Sequence, residues 1–120
     1  MTVTQTNPIT TTEADQALKA KHAAMWASGD YSAVADEIVG SLGGILVDAT
    51  DVRAGQHVLD VAAGTGTSAI PAARRGAIVT ATDLTPELLE IGRQTADRSG
   101  TELTWQTADA ENLPFGEASF

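Results

Sequence analysis

From residue 57 onward, short apolar runs alternate with stretches in which apolar residues recur at helical spacing. The runs predict three strands, at about residues 57–62, 78–82 and 102–107. The stretches between them predict two helices, over about 67–75 and 86–98, the second with Thr85 as its N-cap. Strands that alternate with helices in this way are typical of a parallel, doubly wound α/β sheet.

The first 50 residues carry a different pattern, without a strand-like run. Residues 1–11 are rich in Thr and show no period, which predicts a mobile tail. A first helix is predicted to begin near Thr12 and to break at Gly29-Asp30, and a second to begin at about Ser32, its later half weakened by glycines. In the first helix, Ala14, Leu18 and Met25 fall on one stripe. In the second, apolar residues stand at helical spacing, namely Val34, Ile38, Leu42, Ile45 and Leu46.

A glycine-rich turn follows the first predicted strand. Gly64 and Gly66 allow a sharp turn and close approach of the backbone to a ligand, and Ala69 is small enough for the next helix to pack on the strand. These residues fit the G-x-G-x-x-G/A pattern of nucleotide-binding folds. Asp83 ends the second apolar run. It stands ~20 residues after the glycine-rich turn, the offset at which an acid holds ribose hydroxyls in nucleotide-binding folds. The sequence therefore predicts a nucleotide-binding site at this edge of the sheet.

The charge of Asp60 narrows the choice of ligand. A dinucleotide places its pyrophosphate at the helix N-terminus, and a carboxylate four residues before Gly64 would repel that anion. A ligand with a cationic sulfonium and ammonium, such as S-adenosylmethionine, would tolerate or use the same carboxylate. The alternative is that Asp60 only ties down the backbone amides of its own loop.

Three segments together resemble a known family. They read VLDVAAGTGTSA, ATDLTPELLEIGR and ADAENLPF. The chain from about Lys21 to Phe120 resembles the Rossmann-like (class I) S-adenosylmethionine-dependent methyltransferases, and most of all their ubiquinone/menaquinone biosynthesis C-methyltransferase branch. In the family pattern D/E-x-G-x-G-x-G, Ala62 stands where the first glycine is usual. Alanine permits a close turn there unless φ is positive.

The resemblance implies a site for S-adenosylmethionine and a role for each matching residue. Gly64, Thr65 and Gly66 would line its amino-acid and ribose part, with Asp60 near the methionine end. Asp83 would accept both ribose hydroxyls, Leu84 would pack on the adenine face, Asp109 would accept from the adenine amino group, and the Ala110 amide would donate to the ring. Tyr31 would donate its hydroxyl to the methionine carboxylate. The full set of expected cofactor-binding residues is Tyr31, Asp60, Ala62, Gly64, Thr65, Gly66, Asp83, Leu84, Asp109 and Ala110.

Several of these residues have a structural alternative. Asp109 could be a cap or turn residue, and Tyr31 a half-buried packing residue. A cap role for Asp83 is less favoured, because Thr85 already stands at the cap. His22 is interpreted as a solvated helix residue rather than a base, and Trp26 as part of a helical lid. No catalytic base is assigned.

The absence of cysteine and the negative net charge argue against several other classes of function. The chain has 120 residues, no cysteine and a formal net charge of −9. A disulfide framework, a thiolate zinc site and a cysteine nucleophile are therefore excluded, and no metal site is assigned. The acidity argues against a nucleic-acid partner, since such binding depends on Lys and Arg. Without a signal-like N-terminus or a long apolar stretch, a soluble, cytoplasmic protein with no membrane partner is expected.

The predicted organisation is a tail at 1–11, a helical lid segment at 12–50 and a partial cofactor-binding domain at 51–120. In the family that the chain resembles, a fourth strand pairs beside the first. This chain is therefore expected to be the N-terminal half of a longer enzyme, or to be completed by another chain, as in a homodimer.

The expected function is methyl transfer to a small-molecule acceptor. The alternatives are a non-catalytic S-adenosylmethionine-binding or dimerisation module, and an NAD-dependent oxidoreductase.

Overall fold

The computed structural model describes residues 12–120 as two layers, a small sheet and the helices that cover it. The N-terminal helices are α1 (Glu13–Ser28), α2 (Tyr31–Val34), a π-helical segment (Ala35–Val39) and α3 (Gly40–Ala49). The elements of the sheet layer are β1 (His57–Val61), α4 (Ala69–Arg74), β2 (Ile78–Asp83), α5 (Pro86–Arg98) and β3 (Thr104–Thr107). The predicted tail at 1–11 lies outside the described residues.

The three strands are parallel and lie in the order β1-β2-β3, which confirms the predicted α/β class. β2 is the central strand, and its Val79 and Ala81 are buried in the core. Alternation of strand and helix produces this order because each parallel strand needs a crossover, and a helix supplies it. Thr82 is also buried, and its hydroxyl donates to the Asp60 carbonyl of β1 at 3.1 Å, so a polar group inside the sheet is satisfied.

The core is built mostly from small side chains. Val47 of α3 packs with alanines of the sheet layer, so α3 and α4 approach the sheet closely. The buried cluster is Val47, Ala63, Ala69, Ala72, Ala77, Val79 and Ala81. An ion pair between Asp48 and Arg75 adds a second link between α3 and the end of α4.

The N-terminal helices begin and end close to the predicted positions. Thr12 caps α1, its hydroxyl accepting from the Asp15 amide at 3.2 Å, and Gly29 follows its last residue. The apolar stripe of α1 is not buried. Leu18 and Met25 of α1 are each half exposed, and α1 has no buried residue.

The stripe predicted for the second helix is exposed as well. Its five residues, Val34, Ile38, Leu42, Ile45 and Leu46, are each between 49% and 68% exposed. Gly43 and Val47 face inward instead. The π-helical segment breaks the 3.6-residue spacing within this stripe, although the stripe is exposed both before and after that segment.

The sheet layer differs from expectation only at its boundaries. α4 begins at Ala69, two residues later than predicted, because residues 64–68 form a run of turns. β3 begins at Thr104, also two residues late. Among residues 12–120, no helix is long and apolar enough to cross a membrane.

Candidate functional site

A cavity of about 650 Å³ lies at the carboxyl ends of the three strands. Its floor is formed by the loops that follow β1, β2 and β3, which meet at one edge because the strands are parallel. Its other wall comes from the N-terminal helices, with Lys19, His22 and Trp26 of α1 beside Tyr31 of α2 and the π-helical segment. Of the ten predicted site residues, eight line this cavity: Tyr31, Ala62, Gly64, Thr65, Asp83, Leu84, Asp109 and Ala110.

The glycine-rich loop after β1 turns through three left-handed residues. Ala62, Gly64 and Gly66 have φ of 58°, 55° and 84°. At Gly64 the space that a Cβ would fill is open, so the backbone faces the cavity without a side chain. Ala62 stands where the family pattern has glycine, and its positive φ is the condition under which that difference matters. Positive φ strains a residue that carries a Cβ.

Gly66 has a packing contact that the sequence did not predict. It does not line the cavity, and a Cβ at this position would lie 2.5 Å from the Trp105 ring. A Cβ at Gly92 of α5 would lie 2.6 Å from the same ring. Trp105 of β3 is thus wedged against two glycines, and Gly66 gives the loop room to pack on it. Sequence reasoning missed Trp105, since an aromatic residue in a short strand shows no sign of its partners.

Asp83 supports the loop from the end of β2. Its Oδ2 accepts from the Gly64 amide and its Oδ1 from the Thr85 amide, each at 2.8 Å. Thr85 stands at the N-cap of α5, as predicted, but its hydroxyl makes no capping hydrogen bond. Asp83 therefore contributes to the turn before α5, which is the less favoured of the two roles given by the sequence. Each carboxylate oxygen has two lone pairs, so both can still accept from a ligand.

Asp60 lies under the loop rather than on the cavity wall. Its Oδ2 is buried and has no hydrogen-bond partner among the described residues. Burial raises the pKa of this carboxyl group, a backbone hydrogen bond from Ala69 opposes the shift, and the nearby charge of Asp83 adds to it. The bond from Ala69 agrees with the alternative role of Asp60 in holding its own loop. The second oxygen remains an unpaired acceptor beside the site.

Asp109 follows β3 and holds both a turn and an ion pair. Its Oδ1 accepts from the Glu111 amide at 2.9 Å, the geometry expected of a turn residue. Its Oδ2 accepts from Lys19 Nζ of α1 at 2.5 Å. The hydrogen bond from Lys19 is the main reason why the pKa of Asp109 is held below its usual range.

Lys19 was not predicted as a site residue. It also pairs with Asp15 of its own helix and with Glu111, each at 2.9 Å. The hydrogen bond to Asp109 is the main reason why the pKa of Lys19 is raised, and those to Asp15 and Glu111 add to the shift. Only the pair with Asp15, four residues away, could have been read from the sequence. Asp109 lies 90 residues further along the chain.

The aromatic wall of the cavity comes from Trp26 and Tyr31. Their ring centroids are 4.9 Å apart with an angle of 55° between the planes, so the pair joins α1 to α2 across Gly29-Asp30. His22 lines the cavity from an exposed position on α1. His57, at the start of β1, lies at the opposite end of the strands.

The charge of the cavity wall is acidic. Asp83, Asp109 and Glu111 line it together with a single lysine, which is itself paired with two of these carboxylates. Such a wall favours a ligand that carries positive charge over a pyrophosphate. Within residues 12–120, no group of His, Asp and Glu side chains is placed to hold a metal ion.

A parallel sheet, a glycine-rich turn after its first strand and an acid after its second define a nucleotide-binding protein of the doubly wound class. The model of one family, the methyltransferase domain, matches residues 58–120, and the chain belongs to this family. Membership confirms the resemblance drawn from the motifs.

Individual relatives agree with this assignment. An uncharacterized protein of Mycobacterium tuberculosis is 51% identical over 111 residues, which cover 92% of this chain and 40% of that protein. A demethylmenaquinone methyltransferase of Paenarthrobacter aurescens is 46% identical over 76 residues, 63% of this chain and 28% of the enzyme. The crystal structure of the YcgJ protein of Bacillus subtilis superposes with a TM-score of 0.60 and 31% identity, covering 65% of this chain and 34% of the other. The chain thus spans less than half the length of these relatives.

Proposed function

We propose that the protein binds S-adenosylmethionine in the cavity at the carboxyl ends of its strands and transfers the methyl group to a small-molecule acceptor. The observation that carries this proposal is the Asp83 carboxylate, fixed by two backbone amides at the rim of an acidic cavity. A carboxylate held in this way can accept from both hydroxyls of a ribose.

The described residues fit this cofactor in three respects. Gly64 presents bare backbone to the cavity, so a ligand can approach where a side chain would block it. Asp60 leaves a buried carboxylate oxygen unpaired beneath the loop, which suits a nearby cation better than an anion. The apolar Leu84 and the backbone of Ala110 lie on the same wall, where they would contact the adenine.

The residues of this chain would act by binding and orientation. The cofactor supplies, when bound, a methyl group already activated on a sulfonium. Asp83 would hold the ribose, Asp109 and Ala110 the adenine, and Tyr31 the methionine carboxylate. The aromatic wall of Trp26 and Tyr31 would exclude water, which favours displacement at a methyl group by an aligned nucleophile.

A small-molecule acceptor is supported by two observations. The wall of the cavity is acidic, which disfavours the phosphate backbone of a nucleic acid. The similar enzyme of Paenarthrobacter aurescens bears the name of a quinone-precursor methyltransferase. Incubating the protein with methyl-labelled S-adenosylmethionine and a panel that includes demethylmenaquinone tests for transfer by mass spectrometry.

Calorimetric titration of the protein at its full natural length tests the binding step directly. We expect S-adenosylhomocysteine to bind and NAD not to bind. Asp83→Asn should weaken binding at least about tenfold, because a hydrogen bond to a charged group contributes roughly 1.5–3 kcal/mol. Glu87→Gln is the matched control, as Glu87 is an exposed acid in the first turn of α5 and does not line the cavity.

Thermal unfolding of the Asp83→Asn variant separates lost ligand contacts from a disturbed loop, since Asp83 also holds two amides. Tighter binding of NAD than of S-adenosylhomocysteine would refute the proposed function. So would equal affinities of a folded Asp83→Asn variant and the wild type.

A further inference from the structure

Helix α1 forms part of the cavity wall without being anchored by apolar burial. None of its residues is buried, and Leu18, Met25 and Trp26 are each about half exposed. A helix held mainly by apolar packing would turn such residues inward. Its position over the cavity must therefore depend on other contacts.

Lys19 supplies a contact between α1 and the loop after β3. Its Nζ lies 2.5 Å from Asp109 Oδ2 and 2.9 Å from Glu111 Oε2, while Asp15 one turn earlier holds the same amine at 2.9 Å. The lysine side chain is only 17% exposed, although it carries a charge. A single amine thus bridges the helix and the loop.

The other described contacts of α1 do not replace this link. Trp26 packs at a tilt against Tyr31, which belongs to the neighbouring helix and not to the sheet. Helix α1 also contacts α5, and Ala23 and Ala27 of α1 are half-buried, but side chains of this size contribute little apolar area. The ion pairs of Lys19 are consequently the direct polar attachment of α1 to the strand-end loops within residues 12–120.

We propose that Lys19 is a positioning residue that clasps α1 over the cavity through Asp109 and Glu111, and that this clasp slows the release of the cofactor. The effect on the cofactor rests on the proposed function. Because the pairs form a network at a partly solvated surface, the clasp weakens as salt screens it. Cofactor affinity should therefore fall with ionic strength in a way that depends on Lys19.

Three variants test the clasp in the protein at its full natural length. Lys19→Met removes the charge and keeps the alkyl stem, Lys19→Arg restores the charge, and Lys21→Met makes the same change at an exposed residue of α1 that does not line the cavity. With S-adenosylhomocysteine as the probe, Lys19→Met should raise the dissociation rate about three- to tenfold at low salt, as expected for the loss of a surface ion-pair network. Lys19→Arg should recover most of the affinity, and Lys21→Met should match the wild type.

The salt dependence distinguishes a clasp from a general structural effect. In the wild type and in Lys21→Met, affinity should fall between about 50 mM and 500 mM salt, whereas in Lys19→Met it should change little. A Lys19→Met variant that binds like the wild type, or one that keeps the full salt dependence, would overturn the clasp. Equal loss in Lys19→Met and Lys21→Met would do the same.

Hydrogen exchange of the cofactor-free protein tests the clasp independently of ligand binding. Amides of residues 13–28 should exchange faster in Lys19→Met than in the wild type, while those of β2 stay unchanged. If S-adenosylhomocysteine binds no form of the protein, the proposed function fails, and this measurement still decides the clasp. Unchanged exchange in α1 would refute it.

Discussion

Gly43 of α3 makes the closest approach between the N-terminal helices and the glycine-rich loop. A Cβ built on Gly43 would lie 2.5 Å from the Thr67 carbonyl carbon and 3.1 Å from the Ser68 amide nitrogen, and would overlap the Thr67 carbonyl oxygen. Ordinary van der Waals contact begins at 3.4 Å, so Gly43→Ala requires the helix or the loop to move by more than about 1 Å to clear the Thr67 carbonyl oxygen. No rotamer change relieves this overlap, because every atom involved belongs to the backbone.

The neighbouring Gly44 provides the matched control, since nothing lies within 4 Å of a Cβ at that position. In each variant, replacing a helical glycine by alanine favours the helix by up to about 1 kcal/mol. Overpacking costs about 1–3 kcal/mol, and a clash with backbone belongs at the upper end. We therefore expect Gly44→Ala to stabilise the fold by up to about 1 kcal/mol, and Gly43→Ala to destabilise it by about 1–2 kcal/mol.

Denaturant unfolding gives the free energies, and titration with S-adenosylhomocysteine gives the effect on the site. Gly43→Ala should also weaken binding, because the displaced loop carries Thr65 and Thr67 of the cavity wall. The difference between the two variants isolates the steric cost, since helix propensity cancels. Equal stabilities of Gly43→Ala and Gly44→Ala would show that α3 does not rest on the loop as described.

Two further changes test the residues around the loop. Ala62→Gly should raise the free energy of unfolding by up to about 1 kcal/mol, because relief of the strain at positive φ exceeds the added flexibility of the unfolded chain. Ala63→Gly is the control, at a buried position without positive φ, and should lower the free energy of unfolding. Denaturant unfolding measures both. Burial raises the pKa of Asp60, so the native state binds a proton more tightly than the unfolded chain, and the wild type loses stability as pH rises from about 3.9 through the raised pKa. Asp60→Asn should remove this loss, so the variant should melt at a higher temperature than the wild type at neutral pH. The difference between the two melting temperatures should close on acidification. A difference independent of pH would contradict the raised pKa of Asp60.

The sequence predicted the sheet layer well because its signals are local. Each parallel strand is followed within a few residues by a turn or cap, and Gly64 and Asp83 stand at the spacing that a nucleotide-binding loop requires. Their positions at the strand ends then follow from the topology alone. Only boundaries shifted, as at Ala69, where the turns of the loop delay the helix.

The N-terminal helices could not be oriented in the same way. A helical stripe of apolar residues does not say what covers it, and the stripe of α1 is exposed although that helix is regular throughout. In the second predicted helix, the π-helical segment also breaks the period between Val34 and Gly40. Gly43 was interpreted as a weak point of the helix, whereas the structure uses its missing side chain for close packing. The bridge from Lys19 to Asp109 depends on tertiary contact over 90 residues, which no local pattern encodes.

The structural contacts of Asp83 and Asp109 are compatible with the ligand contacts that we propose for them. Each carboxylate accepts from a backbone amide within two residues of it, a turn contact that alone would have suggested a merely structural residue. That contact uses one lone pair and fixes the orientation of the others toward the cavity. A free, rotating carboxylate would lose more side-chain entropy when it binds a ligand. Under the proposed function, the turn bonds would prepare both acids to bind, and we expect a variant that removes either carboxylate to disturb its loop as well as the proposed ligand contact.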